Sequence, residues 1–307
     1  NKAGERPSLM AIVNKDCEVK EARQLTYNQK GIPQRLILLD SSLTQTISAK
    51  PLNPPIPNGT DPGGITATVI DTGVNYTLNY IEKHLARDTS GQLLGFDFWD
   101  MDSQPFDLDT SRSPFFPFHH GTSVVSVLIR EAPMVRIIPY RFPRFDMHRM
   151  RDLVLDTNRL NSRIANIAMG SNKREQWNDF EAAARKVPHI LFIVSAGNNG
   201  RNLDESPIYP AALDLKNLLV VTSADNFGRL AQGSNWGRNT VDIMVPGEQI
   251  PVIDHRGLQR KASGSSFAAP RVAALAVRLL AKNPTWYAPE LKRAILSKAI
   301  RSPYEQQ

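Results

Sequence analysis

A single cysteine, Cys17, stands in this 307-residue chain, so no disulfide can form within it and cysteine usage does not identify the redox compartment. Long apolar runs are missing too. The strongest, Ile190 to Val194 and Leu218 to Val221, are strand-sized, far short of the roughly 18 or more consecutive apolar residues of a membrane span, and no membrane span is expected. Residues Asn1 to Arg6 lack the apolar core of a signal peptide, as a processed secreted protein also would. No repeat at a solenoid or propeller period is present. With 41% apolar and 22% charged residues, disorder is not the expectation; the chain can bury one large core or two smaller ones.

The formal charge of +7 raises the question of nucleic acid. The densest basic stretch holds Arg136, Arg141, Arg144, Arg149 and Arg151, with Phe142, Phe145 and Met150 between them. No nucleic-acid motif surrounds it, and such runs usually decorate a solvated face, so no nucleic-acid partner is expected.

The organisation changes near residue 60. Residues 1–60 form an N-terminal extension with one clear strand, Arg35 to Leu39, and a mixed polar stretch from Glu18 to Lys30 read as a short helix. They end in a linker rich in proline and glycine, from Pro51 to Gly64. Beyond it, in residues 61–307, apolar runs alternate with helical patterns. Strands are expected at Ile65 to Ile70, Val135 to Tyr140, Ile164 to Met169, Ile190 to Ser195, Leu218 to Ser223 and Val241 to Val245. Helices are expected at Gly121 to Arg130, Met147 to Leu160, Trp177 to Lys186 and Ser266 to Lys282. Strands that are apolar throughout and separated by helices predict a mostly parallel sheet covered on both faces, a three-layer α/β/α arrangement.

Three segments carry reactive groups in the order acid, base, nucleophile: Ala67 to Gly73 with Asp71, His119 to Val125 with two adjacent histidines, and Ser263 to Pro270 with three serines. Asp71 ends an apolar strand, the place where open parallel sheets build their sites, and a buried aspartate there can orient an imidazole. Asp-Thr-Gly also occurs in aspartic proteases, but those need two facing copies and only one is present. Chemistry alone does not choose between Ser265 and Ser266. Pro270 is expected within the first helical turn, where backbone N–H groups have no intrahelical partner.

In its Asp, His, Ser order and in these segments the chain resembles the subtilisin-like serine proteases (subtilases). Ala132-Pro133, Asn166 to Gly170, Ser195 to Gly200, Tyr209 to Ala211, Ser234 to Gly237, Val245 to Gly247 and Asn283-Pro284 match landmarks of that family in order, over about residues 63 to 300. The resemblance selects His120 over His119 and Ser266 over Ser263 and Ser265. It implies a subtilisin-like fold and a serine endopeptidase, with Ser266 as nucleophile, His120 as base, Asp71 orienting it and Asn198 holding the oxyanion. It also implies a peptide-binding edge at Ala168, Met169 and Gly170, a specificity pocket between that edge and Ser195, Ala196 and Gly197, and Ile208 at the pocket floor. Asp204 and Glu205 are the competing rim charges. The family implies protein or peptide substrates, an extracytoplasmic place (secreted or periplasmic), no required cofactor and a monomer. Gly95 to Asp107 resembles a calcium-binding segment of some subtilases, with Asp97, Asp100 and Asp102 as the expected Ca2+ ligands; an acidic surface loop is the alternative. Ser123 and Ser126 depart from the family pattern, outside the proton-transfer pair. A transpeptidase or macrocyclase would share every residue named, and a catalytically silent binding module would normally lack a triad member.

Overall fold

The computed structural model describes residues 6–142 and 146–300; Arg144 and Phe145 of the basic stretch lie outside them. The chain opens with strands β1 (Leu9–Val13), β2 (Val19–Tyr27), β3 (Pro33–Leu39) and β4 (Thr46–Pro51), which pair in chain order as an antiparallel sheet. The helix expected across Glu18 to Lys30 is therefore strand β2. The reason lies in its flanks. Asn14 Oδ1 accepts the N–H groups of Asp16 and Glu18, and Asn28 Oδ1 accepts that of Ile32, so each asparagine closes a hairpin and β2 is held between two partner strands. Cross-strand pairing overrides a weak local preference.

The remaining strands are β5 (Ile65–Asp71), β6 (Phe96–Asp97), β7 (Val135–Arg141), β8 (Ile164–Ile167), β9 (Leu191–Ser195), β10 (Leu218–Ala224), β11 (Ile243–Pro246) and the hairpin β12 (Ile250–Ile253) and β13 (Gln259–Ala262). Seven of them form one parallel sheet in the order β11-β10-β9-β8-β5-β7-β6. The helices are α1 (Asn79–Glu82), α2 (Gly121–Glu131), α3 (Met150–Arg159), α4 (Asn178–Lys186), α5 (Ser265–Lys282) and α6 (Ala288–Leu296).

Neighbouring residues on one strand serve opposite faces, as the pleat requires. Val69, Ile193 and Val221 join a core with α2 and α5, whereas Ile70, Val194 and Val220 join a second core with α3 and α4. This double burial explains the unbroken apolar runs, and it gives the three-layer α/β/α architecture. A third, small apolar cluster fastens the N-terminal sheet to the body: Leu25 and Leu52 pack against Leu108 and Phe115, which lie on the segment leading to His120.

Two departures from expectation bear on the site. Strand β8 stops at Ile167 instead of Met169, so Ala168 to Gly170 run past the ladder. Helix α5 starts at Ser265, which puts Pro270 inside the helix rather than in its first turn; lacking an N–H, it cannot donate to the Ser266 carbonyl one turn back.

Candidate active site

Asp71 is the last residue of β5 and is buried, 3% exposed. Both its carboxylate oxygens face His120 Nδ1, at 2.8 and 2.9 Å, and Oδ1 also accepts the Thr72 N–H at 2.7 Å. The grip fixes which imidazole nitrogen carries the proton and leaves Nε2 as the one to act on a neighbour. His120 caps α2, and the small residue after it is required: a Cβ on Gly121 would lie 2.0 Å from the Gly73 carbonyl oxygen and 3.2 Å from Asp71 Cβ. Phe267, the second residue beyond Ser265, packs against the His120 ring with centroids 5.6 Å apart, so the imidazole lies beside the start of α5.

The two serines that chemistry could not separate have different surroundings. Ser265 is fully buried and its Oγ accepts the Gly197 N–H at 3.0 Å, whereas Ser266 is only partly covered. Asn198 follows β9 in an exposed turn, and its Oδ1 accepts the Ser265 N–H at 2.8 Å. That bond orients the amide, freeing Nδ2 to donate elsewhere. Gly264 has φ +132°, and a Cβ there would meet the Asn198 amide at 3.0 Å, which is why the residue before the serines is glycine. Asp71, His120, the start of α5 and Asn198 thus come together.

Around the expected pocket, Ala168 and Met169 are buried and Gly170 is exposed. Ile208 reaches this edge: its Cγ2 would lie 3.1 Å from a Cβ on Gly170. Ser195 and Ala196 are buried and Gly197 is half-buried. Asp204 is turned away from any rim, accepting the N–H groups of Asn239 and Thr240 and the Thr240 hydroxyl.

The calcium expectation is corrected. Arg141, 2% exposed, places Nη1 2.7 Å from Asp97 Oδ2 and 2.6 Å from Asp100 Oδ2, so a guanidinium occupies the place a hard cation would take. Asp102 pairs with Asp97 through the backbone, but its carboxylate is engaged elsewhere, accepting Asn53 Nδ2 and the Gln104 N–H. The segment does not fit calcium; it is a buried ion pair, and this also removes Arg141 from the basic stretch. Arg136 and Arg149 are paired too, with Asp61 and Asp146. Replacing Asp100 by asparagine, with Asp97 still in place, is expected to cost about 1–2 kcal/mol. EDTA is expected to leave the difference between the two melting temperatures unchanged; a calcium-dependent stabilisation that Asp100→Asn abolishes would restore the cation.

Three residues that shape the site were not singled out from sequence. Asp107 is fully buried: Oδ1 accepts the Thr72 hydroxyl at 2.6 Å and the His120 N–H at 3.1 Å, and Oδ2 accepts the Thr122 N–H at 3.0 Å and its hydroxyl. Burial works against its charge, but His255, His119 and Thr122 outweigh that and hold its carboxyl well below the usual range. Thr72 Oγ1 in turn accepts the N–H groups of His120 and Gly121. Asn235, also fully buried, donates to the Ala196 carbonyl and accepts the N–H groups of Asn199 and Arg201, latching the turn that carries Asn198. The available signal was position alone: Asp107 ends the acidic segment that begins at Gly95, and Asn235 lies in one of the matched landmarks.

Among the described residues, Asp107, His119 and His255 bring possible ligand atoms within 4.8 Å of one another. They do not converge on an ion. The two rings stack face to face, 3.6 Å apart and 9° from parallel, so their lone pairs lie in parallel planes, and the carboxylate is already saturated by donors.

Residues 63–306 match the subtilase family, peptidase S8. The chain is 26% identical over 235 residues to the thermophilic serine proteinase of Bacillus sp. (strain AK1), covering 72% of this chain and 53% of that protein. It is 27% identical over 249 residues to the alkaline serine exoprotease A of Vibrio alginolyticus, covering 78% of this chain and 42% of the other. The chain therefore spans about half, or less, of the length of these curated relatives. In fold it is similar to a cold adapted subtilisin-like serine proteinase of known crystal structure, with a TM-score of 0.63, 24% identity and coverage of 81% of this chain and 87% of that one.

Proposed function

The chain belongs to the subtilase family, and from that premise we propose that it is a serine endopeptidase in which Ser266, His120, Asp71 and Asn198 carry the reaction. The observation that carries this reading is the two-oxygen hold of Asp71 on His120 Nδ1 beside the start of α5. Ser266 Oγ attacks the scissile carbonyl carbon while its proton passes to His120 Nε2. The negative charge moves to the carbonyl oxygen, held by Asn198 Nδ2 and the Ser266 N–H. The intermediate collapses, the C–N bond breaks, and His120 returns the proton to the leaving amine. Water then repeats the sequence on the acyl-enzyme, releasing the acid and restoring Ser266. Every proton and electron pair is supplied by these groups, the peptide and water, so the scheme needs no cofactor.

The peptide lies extended against Ala168 to Gly170, adding as a strand where β8 leaves the ladder, with the side chain before the scissile bond between that edge and Ser195 to Gly197. Ile208 limits its depth. Residues 61–307 act as the catalytic domain and 1–60 as an extension upon it, working outside the cytoplasm as a monomer. The test is a serine-directed fluorophosphonate followed by peptide mapping. Label is expected on Ser266 and absent from Ser266→Ala; label retained on Ser265 would reassign the nucleophile. Mass spectrometry of products separates water from an amine as the acyl acceptor.

A further inference from the structure

Between the N-terminal sheet and the body lies a cleft of about 620 Å3, within the size range of pockets that enclose ligands. Its walls come from two sources. Leu36 and Lys50 belong to β3 and β4; Phe118 and His119 belong to the segment ending at His120, and His255 and Arg256 to the turn between β12 and β13. Phe118 is half exposed and stacks on the His120 ring, with centroids 5.8 Å apart and an interplanar angle of 21°. One face of the cleft is therefore the ring that flanks the proposed general base.

The direction of an extended substrate then matters. Its acyl half occupies the ends of β8 and β9, at Ala168 to Gly170 and Ser195 to Gly197. The leaving half must pass His120, which gives it a proton, and continue away from those strands. The cleft borders His120 through Phe118 and is lined also by Asn75 and Thr77, beyond the end of β5. Its lining is mainly apolar, with Leu36, Leu52 and Phe118 among the contributors. Besides the two histidines, its charged lining residues are Arg23, Lys50, Asp254 and Arg256. Arg23 is paired with Glu21 and Arg256 with Asp254, whereas Lys50 is exposed, forms no ion pair among the described residues, and lies near enough to His119 to act on it electrostatically.

We propose that this cleft is the subsite for the leaving-group half of the substrate, taking an apolar side chain with a carboxylate beyond it that pairs with Lys50. The proposal rests on the endopeptidase reading above. It gives the N-terminal sheet a part in selectivity, since one side of the cleft and the cation come from it.

Internally quenched peptides with a fixed acyl half decide it. Leu or Phe is placed after the scissile bond and followed by Glu, Gln or Lys, and matched peptides ending there as free acid or amide separate a side-chain carboxylate from a terminal one. The parent is expected to favour the acidic member over the lysine member by about threefold to tenfold in kcat/KM, in the range of a partly screened ion pair. Lys50→Glu should reverse that order, and Leu36→Trp, which fills the cleft, should erase the advantage of Phe over alanine. Neither should alter preferences on the acyl half, which serves as the control for an intact fold. A leaving-side profile identical in the parent and Lys50→Glu, or a change confined to the acyl half, overturns the subsite while leaving the endopeptidase reading standing. Failure of the parent to cleave any peptide overturns both.

Discussion

Ser266→Ala is expected to lower kcat by about 10^6-fold with little change in KM or melting temperature, the size of loss known for the same substitution in subtilisin itself. The physical basis here is the division of labour between adjacent serines. Ser265 is buried with its Oγ committed to the Gly197 N–H, whereas Ser266 is partly exposed and precedes Phe267, whose ring packs against His120. Removing the Ser266 hydroxyl deletes the proposed nucleophile without leaving a buried donor unpaired. Because nucleophile and base act as a unit, Ser266→Ala combined with His120→Ala should be little worse than either alone. Ser265→Ala should behave oppositely: it leaves the Gly197 N–H without its acceptor, so the loss should be in stability and in oxyanion binding through Asn198. Steady-state kinetics on one peptide, with melting curves for each variant, checks all four. Additive losses in the double variant, or a larger kcat loss for Ser265→Ala than for Ser266→Ala, would show that the nucleophile is misassigned.

The parallel sheet was legible because its strands are buried on both faces, which turns each into an uninterrupted apolar run such as Leu191 to Val194. Helices α2 and α5 were legible for a related reason, since Gly121 and Ser265 begin patterns that continue for several turns. The N-terminal sheet was not. Its strands are half-exposed, its only fully buried side chain is Ala22, and the three-residue spacing of Ala22 and Leu25 fits one face of a helix better than one face of a strand. Only partners distant in sequence decide between the two. The same limit separates the parts of the site. Asp71, His120 and Ser266 each sit in a local pattern that sequence displays, whereas Asp107 and Asn235 act through bonds to residues that lie far along the chain or have no motif of their own. The aspartates near residue 100 show the reverse error: clustered carboxylates read alike whether their counter-charge is a metal or Arg141, and Arg141 lies 41 residues from Asp100.

Asp107 is the residue outside the proposed triad whose loss is expected to cost most. Its two oxygens accept from Thr72, His120 and Thr122, and the Thr72 and Thr122 donors are buried where water cannot replace it. Asp107→Ala strands several buried donors at once, each worth about 1–3 kcal/mol. The sum, on the order of 4–6 kcal/mol, approaches the whole stability of an ordinary domain, roughly 5–15 kcal/mol, so this variant is expected to be recovered poorly folded. Asp107→Asn is the informative form. It keeps Oδ1 for Thr72 and the His120 N–H but turns an NH2 group toward the Thr122 N–H, at about 2–3 kcal/mol. The fold should survive with the start of α2 displaced, and a displaced imidazole should lower kcat by about tenfold to a hundredfold while KM stays near the parent value. The pH dependence has a definite sign. A carboxyl held below its unfolded value contributes stability that is fully present above the unfolded value and is lost as pH falls toward the folded one. The stability difference between parent and Asp107→Asn should therefore shrink as the pH falls below about 4. Urea unfolding of both forms across that range is the measurement. A difference that grows on acidification would mean that the buried carboxylate does not carry its charge in the folded state, and an unchanged kcat in Asp107→Asn would mean that it does not position His120.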